Sequence, residues 1–136
     1  MLVIVGCGKR KIEGIHPAAD LYDSVYFQLK LEYARKIADS EDSIMILSGK
    51  HGFLHLDEMI ESYNQPIDRP GGVTLETLHQ QARDMNVLGE NTVVVLGGKQ
   101  YVSRARRLWA DCEAPLRGGI GEQQHWLKTQ VYEWSE

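Results

Sequence analysis

The sequence is short of the residues and patterns that assign a chain quickly. Its only cysteines, Cys7 and Cys112, fall 105 positions apart in 136 residues, which is no disulfide framework and fits a reducing, cytoplasmic setting with both thiols unbridged. No CxxC or HExxH spacing occurs and the five histidines are scattered, so no metal site is expected. There is no signal-peptide pattern and no apolar stretch of spanning length, so no membrane partner is expected either. Positive charge is not in excess, since 15 Lys and Arg against 19 Asp and Glu leave −4. Non-specific nucleic-acid binding needs a basic face, so the overall field argues against it and leaves only a local basic pocket for one nucleotide. Two nucleotide fingerprints are missing as well. The GxxxxGK[ST] spacing is absent, and GCGKRK at residues 6–11 lacks the third glycine of GxGxxG. Both absences argue against an ATPase or an NAD-dependent dehydrogenase, and no cofactor is expected.

What is present reads as one domain of ordinary composition, 43% hydrophobic and 25% charged. Short apolar runs alternate with helical periodicity. Residues 2–5 and 43–47 are almost wholly apolar, as strands covered on both faces are. Residues 92–96 are the most β-branched run. Helices are expected over residues 24–38, with Val25, Leu29, Tyr33 and Ile37 inward, and after an N-cap at Thr74, with Leu75, Leu78, Ala82 and Met85 inward and Gly89 closing it. Two more are expected over residues 100–110, burying Tyr101, Ala105 and Leu108, and over 121–133, anchored by Trp126, Leu127, Val131 and Trp134. A weak fourth strand is expected near residues 112–114. Strands alternating with helices predict a single three-layer α/β domain over residues 1–136, with a mainly parallel four-stranded sheet and helices on both faces. The connection over residues 48–73 is long for a compact domain, and such connections are often functional.

In parallel sheets, ligands bind beyond the carboxyl ends of the strands. Four loops should meet there: Gly6-Cys7-Gly8-Lys9-Arg10-Lys11, Ser48-Gly49-Lys50-His51-Gly52, Gly97-Gly98-Lys99-Gln100-Tyr101 and the stretch from Arg117 through Gly119 and Gly121 to Gln123 and Gln124. Each carries glycine, which lets a backbone approach a ligand, and at least one cation to balance negative charge. Together they predict a pocket for an anionic group, most simply the phosphate of a nucleotide. Lys9, Lys11, Lys50 and Lys99 would hold it, with the backbone of Gly6, Gly8, Gly97, Gly98, Gly119 and Gly121 assisting. Taken singly, each of these loops is also what an ordinary solvated turn looks like.

Individual residues carry two readings each. Cys7 lies beside Lys9 and Lys11, where neighbouring cations favour a thiolate nucleophile; as a small apolar residue it could instead pack under the loop. His51, flanked by Lys50 and Gly52, could serve as a general acid or base near neutral pH or sit solvated on the rim. Tyr22 and Tyr63 could stack on a base or fill loop bases. Gln123 and Gln124 open the last helix, where amides could hold an anion or side chains could pair with a base edge. His51 and Cys7 are the candidates for chemistry, and Ser48 joins the ligand-binding set.

These same segments carry a resemblance. The first-strand motif GCGKRK, then Asp20-Leu21-Tyr22, then ILSGKHGFL over residues 46–54, then Tyr63, then GIGEQQHWL over 119–127 resemble a small uncharacterised domain family of bacteria, archaea and phages. Its pattern runs C-[GS]-x-K-x-K, D-L-Y, I-L-S-A-K-[HY]-G-L, P-Y and G-I-G-x-Q. The match covers almost the whole chain, with Gly49 in place of the usual alanine and Ser62 in place of the usual proline. That family is distantly similar to the accessory domain of archaeosine synthase and to the uracil-DNA glycosylase-like fold. The resemblance implies a Rossmann-like nucleotide-binding domain of nucleoside or nucleic-acid base modification, its partner a phosphorylated small molecule, a nucleotide or a single nucleic-acid base. It does not carry base excision over: the water-activating Asp-Pro-Tyr motif is absent, and Ala114-Pro115-Leu116 only loosely matches the glycosylase His-Ser-Pro loop.

Overall fold

The apolar N-terminal run forms the middle of the sheet. In the computed structural model, which describes residues 1–133, β1 (Leu2–Gly6) is flanked by β3 (Ile44–Ser48) and β6 (Val93–Leu96). Both pair parallel to it, Val3 opposite Ile44 and Leu2 opposite Val93. Before β3 the chain makes the three-residue ribbon strand β2 (Ile15–Pro17), the short helix α1 (Ala18–Leu21), the long helix α2 (Val25–Ile37) and a 3-10 turn at Glu41–Ser43. After it come β4 (Gly52–His55), β5 (Met59–Glu61) and α3 (Leu75–Asp84). Beyond β6 lie α4 (Lys99–Leu108), α5 (Ile120–Lys128) and a π-turn at Thr129–Glu133.

The sheet is mixed, not mainly parallel. Its order is β4-β3-β1-β6, and β4 runs antiparallel to β3 with Ser48 opposite Gly52. The reason is the length of the connection. A parallel return needs a crossover of a dozen or more residues, whereas a tight turn can only reverse the chain. Gly52 supplies the positive φ of +74° at that reversal, a conformation open to glycine. The strand expected near residues 112–114 contracts to one parallel bridge between Val94 and Glu113, with hydrogen bonds of 2.8 Å from Val95 N and from Glu113 N. The long connection over 48–73 is built, too: β5 pairs antiparallel with β2 in a separate ribbon.

The helices follow their caps. Ser24 Oγ accepts from Phe27 N at 3.0 Å to start α2, and Thr74 Oγ1 accepts from Thr77 N at 3.1 Å to start α3. The inward face of α2 is wider than the expected one: Leu29 is buried and Tyr33 and Ile37 pack on the core as expected, Phe27, Lys30, Leu31 and Ala34 are buried beside them, and Val25 is 63% exposed. Leu75 is likewise exposed, and α3 gives way at Asn86, with φ of 60°, rather than at Gly89. Trp134 lies outside the described residues.

Alternation along each strand divides the apolar residues into two clusters. Val3, Val5, Ile44, Ile46 and Leu96 pack with Phe27, Leu31 and Ala34 of α2 and Leu127 of α5. Leu2, Ile4, Met45, Leu47 and Val95 pack with Leu78 and Ala82 of α3 and Ala105 of α4. No helix among the described residues is long and apolar enough to cross a membrane.

Candidate functional site

The loop after β1 is fixed by pairing with the segment after α1. Ile12 N donates to Leu21 O and Asp23 N to Arg10 O, each at 2.9 Å, with Lys11 bridged to Tyr22 between them. Cys7 N continues the ladder to β3, donating to Leu47 O at 3.1 Å. The loop therefore stands on the carboxyl end of the sheet with Tyr22 buried beneath it. Beside it opens a cavity of about 250 Å³, lined by Cys7, Gly8, Lys9 and Lys11, by residues 64–68, and by Gln100 and Tyr101 of α4.

Glycines decide how closely the walls approach. A Cβ on Gly6 would lie 2.9 Å from Tyr101 Cγ, and one on Gly97 would lie 3.2 Å from Tyr101 Cβ. The bare backbone at two strand ends is what admits the Tyr101 ring. Its hydroxyl then reaches Cys7, 3.1 Å from the carbonyl oxygen and 3.4 Å from Sγ. Gly49 does the same for the opposite wall: a Cβ there would stand 2.7 Å from Ile67 N and 2.9 Å from Pro66 C. Val73 N donates to Gly49 O at 2.7 Å, and Arg104 of α4 donates to Ile67 O at 2.9 Å, which ties the 64–68 wall to both sides of the cavity.

Behind the cavity runs a chain of hydroxyls. Tyr63 OH lies 2.6 Å from Tyr22 OH and 2.5 Å from Ser48 Oγ, and Ser48 Oγ accepts from Lys50 N and His51 N. Tyr22 and Ser48 are fully buried. Burial raises the pKa of Tyr22, Tyr63 and Tyr101, and the charge of Cys7 adds to the shift in all three. Lys11 Nζ donates to Lys9 O at 3.0 Å and sits 4.4 Å from the centre of the Tyr63 ring. Its pKa is lowered by burial, against the opposing pull of Cys7. The His51 ring meets Tyr63 edge-on at 5.3 Å, and burial together with Lys50 lowers its pKa, keeping the imidazole neutral near pH 7.

Lys30, which no motif marks, is the most deeply placed cation. It is 1% exposed, donates to Gly6 O at 2.8 Å and lies 4.1 Å from the centre of the Tyr26 ring. Burial pushes its pKa down to about 8. Residues 64–68 line the cavity and carry no sequence motif, whereas Gln100 and Tyr101 come from the end of the third expected loop.

The four expected loops do not share one cavity. Gly6, Gly8, Lys9, Lys11, Tyr22, Ser48 and Tyr63 are brought together around Cys7, with Lys50 and His51 on the far side of Tyr63; Lys50 Nζ is 6.0 Å from that ring. Gly97, Gly98 and Lys99 instead line a groove of about 460 Å³ with Ser103, Arg106, Arg117 and Gln123. Gln123 is buried, its Oε1 accepting from Tyr26 OH and its Nε2 donating to Gly118 O at 2.9 Å, so its side chain holds α2 to the turn before α5. Gly119 is exposed and Gln124 half-buried, while Gly121 lines a third hollow with Arg117 and Trp126. No group of three or more His, Cys, Asp or Glu side chains could hold a metal ion among the described residues.

Comparison with known proteins agrees with the motif pattern. An uncharacterised protein of Bacillus subtilis (strain 168), YfjM, is 32% identical over 133 residues, covering 91% of this chain and 79% of the other. No solved structure matches. A family model described as a family of unknown function, DUF6884, matches residues 2–129, and the chain belongs to that family.

Proposed function

We propose that this member of the DUF6884 family binds a nucleotide or nucleobase-sugar at the carboxyl end of β1, as an enzyme of nucleoside or nucleic-acid base modification. The observation that carries the reading is the Cys7 cavity at the carboxyl ends of parallel strands, where Lys9, Lys11 and Tyr101 line the walls and Lys11 Nζ lies over the Tyr63 ring. Ligand sites in such sheets lie there. Its volume of about 250 Å³ falls just below the roughly 300–1,000 Å³ of pockets that enclose a whole ligand. It fits one part of a nucleotide, with the remainder outside. Lys11, and Lys9 from the rim, balance phosphate charge; Cys7 and the neutral His51 are the groups for chemistry. The motif-level likeness to base-modifying proteins favours a nucleotide over another phosphorylated ligand.

Isothermal titration with mononucleotides, nucleosides and inorganic phosphate tests the reading. Mononucleotides bind, and Lys11→Ala weakens them about tenfold or more, the effect of losing a charge-assisted hydrogen bond. Binding by no phosphorylated ligand would overturn it. Ligand recovered chemically unchanged after long incubation would make the chain a binding module rather than an enzyme.

A second reading rests on the groove beside α4, whose lining includes Lys99, Arg106 and Arg117 and no acidic residue. In it, a flipped base occupies the Cys7 cavity and the flanking phosphates follow the groove. Binding of single-stranded DNA that weakens steeply with added salt would support this; salt-independent binding, or none, would exclude it.

A further inference from the structure

Two successive carbonyls at the end of β1 are held by side chains from opposite faces of the sheet. Gly6 O accepts from Lys30 Nζ of α2 at 2.8 Å, and Cys7 O accepts from Tyr101 OH of α4 at 3.1 Å. The N–H of the Gly6–Cys7 peptide is taken as well, since Cys7 N donates to Leu47 O at 3.1 Å. That peptide has a partner at each polar atom, and its plane sets the direction in which Cys7 leaves the sheet. A lysine can fix a carbonyl only if its own flexible four-carbon stem is fixed. Lys30 is 1% exposed, and its ammonium lies 4.1 Å from the centre of the Tyr26 ring, within reach of a cation–π contact. Tyr26 OH in turn donates to Gln123 Oε1, and Gln123 Nε2 donates to Gly118 O at 2.9 Å. The contacts run unbroken from the turn before α5, through α2, to the peptide before Cys7.

We infer that Gln123, Tyr26 and Lys30 form a buried strut between the turn before α5 and the Gly6–Cys7 peptide, and that they act as positioning residues that set where Cys7 stands in the cavity. Packing alone does not call for these side chains. A leucine or methionine at position 30 would complete the stripe of Phe27, Leu31 and Ala34 without burying an amine. The acceptor that the amine reaches is the carbonyl directly before Cys7. Gln123 borders the groove beside α4 but is 6% exposed, and both ends of its amide are turned to Tyr26 and Gly118. Among the described residues no buried side-chain nitrogen or oxygen lacks a partner. A fully paired polar chain of this kind fixes one arrangement and rigidifies what it touches. The inference needs no particular ligand and stands or falls separately from nucleotide binding.

Iodoacetamide reads how firmly Cys7 is held: the sulfur bonds the methylene carbon, and iodide leaves with the bonding pair of the carbon–iodine bond. Cys112 is the internal control, 7% exposed and part of the apolar cluster on the other face of the sheet. Tyr26→Phe keeps the ring over Lys30 and removes only the hydroxyl link. Gln123→Met removes both polar ends at similar volume. Brief labelling followed by peptide mass spectrometry gives the ratio of alkylated Cys7 to alkylated Cys112. That ratio should rise about fivefold in each variant, the change in locally open population that one lost hydrogen bond produces. A structural role alone would lower the melting temperature and speed both thiols together, leaving the ratio in place. If either variant leaves the ratio unmoved, the strut is overturned. Should the variants fail to fold, proton exchange in the unsubstituted chain decides by nuclear magnetic resonance. The ammonium protons of Lys30 should exchange with water more slowly than those of the exposed Lys9 and Lys99, and the side-chain amide protons of Gln123 more slowly than those of the half-buried Gln124. Equal rates in either comparison would refute the inference.

Discussion

Lys30→Met should change how stability depends on pH, and the change can be worked out from the buried amine. Lys30 Nζ has one hydrogen-bond acceptor, Gly6 O, and its pKa falls from 10.5 to about 8 with burial as the main cause. The unfolded chain keeps its proton up to pH 10.5 while the folded chain releases it near 8. Between those values the unfolded state binds more protons, so stability rises with pH. The cost of burying the charge is thus fully present below pH 8 and relieved on the way to 10.5. Integrating from about pH 7 to 9.5 gives a gain of about 2 kcal/mol for the unsubstituted protein. The Lys30→Met variant has no such group and lacks that gain. The tyrosines pull the other way, since Tyr26, raised to about 12, and its raised neighbours stay neutral in the fold after the unfolded chain begins to ionise near pH 10. Their effect is common to both proteins and cancels in the difference. Urea unfolding followed by tryptophan fluorescence at several pH values between about 7 and 9.5 measures it. The gap between the unsubstituted and Lys30→Met proteins should move by about 2 kcal/mol in favour of the lysine across this range. Parallel stability curves would refute the buried, depressed amine.

Two further substitutions test how the cavity is held. Gly49→Ala places a methyl group against backbone of the opposite wall, at 2.7 Å from Ile67 N, where nothing can rotate away. It should cost about 1–3 kcal/mol in urea unfolding, with faster proteolysis in the 64–68 wall; a neutral effect on both would show that the wall is free to move. Gln81→Ala removes the side chain of α3 that accepts from Phe53 N at 2.9 Å and donates to His51 O at 2.8 Å. Leaving those two backbone groups unpaired should lower stability by about 1–3 kcal/mol and speed amide exchange at Phe53; unchanged exchange would show that Gln81 does not clasp the turn.

The parts of the fold legible in the sequence are those whose signal is local. Residues 2–5, 43–47 and 92–96 announce strands by continuous apolar runs, and Ser24 and Thr74 mark two helix starts that the structure keeps. The orientation of β4 was not legible, because Gly52-Phe53-Leu54-His55 is short and begins with a glycine that reads equally well as loop. What makes it a strand is its pairing with Met45 through Ser48, a relation no window along one segment displays. The inward face of α2 was half legible: Leu29, Tyr33 and Ile37 do pack on the core. Phe27, Lys30, Leu31 and Ala34 occupy i, i+3, i+4 and i+7, an ideal inward stripe, which the lysine within it hid.

That lysine ties the fold to the site. A charged residue on a buried stripe is costly unless it is paired or hydrogen-bonded, and Lys30 meets the carbonyl of Gly6 next to Cys7. The glycines make the same point from the other direction. In the sequence, Gly6, Gly49 and Gly97 look like loops left bare for a ligand; in the structure each lies where protein comes close, Tyr101 against two of them and the 65–67 backbone against the third. Glycine spacing could therefore point to the right rim without revealing what fills it. The feature the sequence hides is the gathering of Tyr22, Tyr63, Tyr101, Lys11 and Lys30 around the loop that carries Cys7, from five separate segments of chain. Each contributes a single polar atom whose purpose is set by its neighbours in space. A lysine inside an apolar helical stripe, beside a strand that ends in Gly-Cys-Gly, is the sequence signal that would have found it.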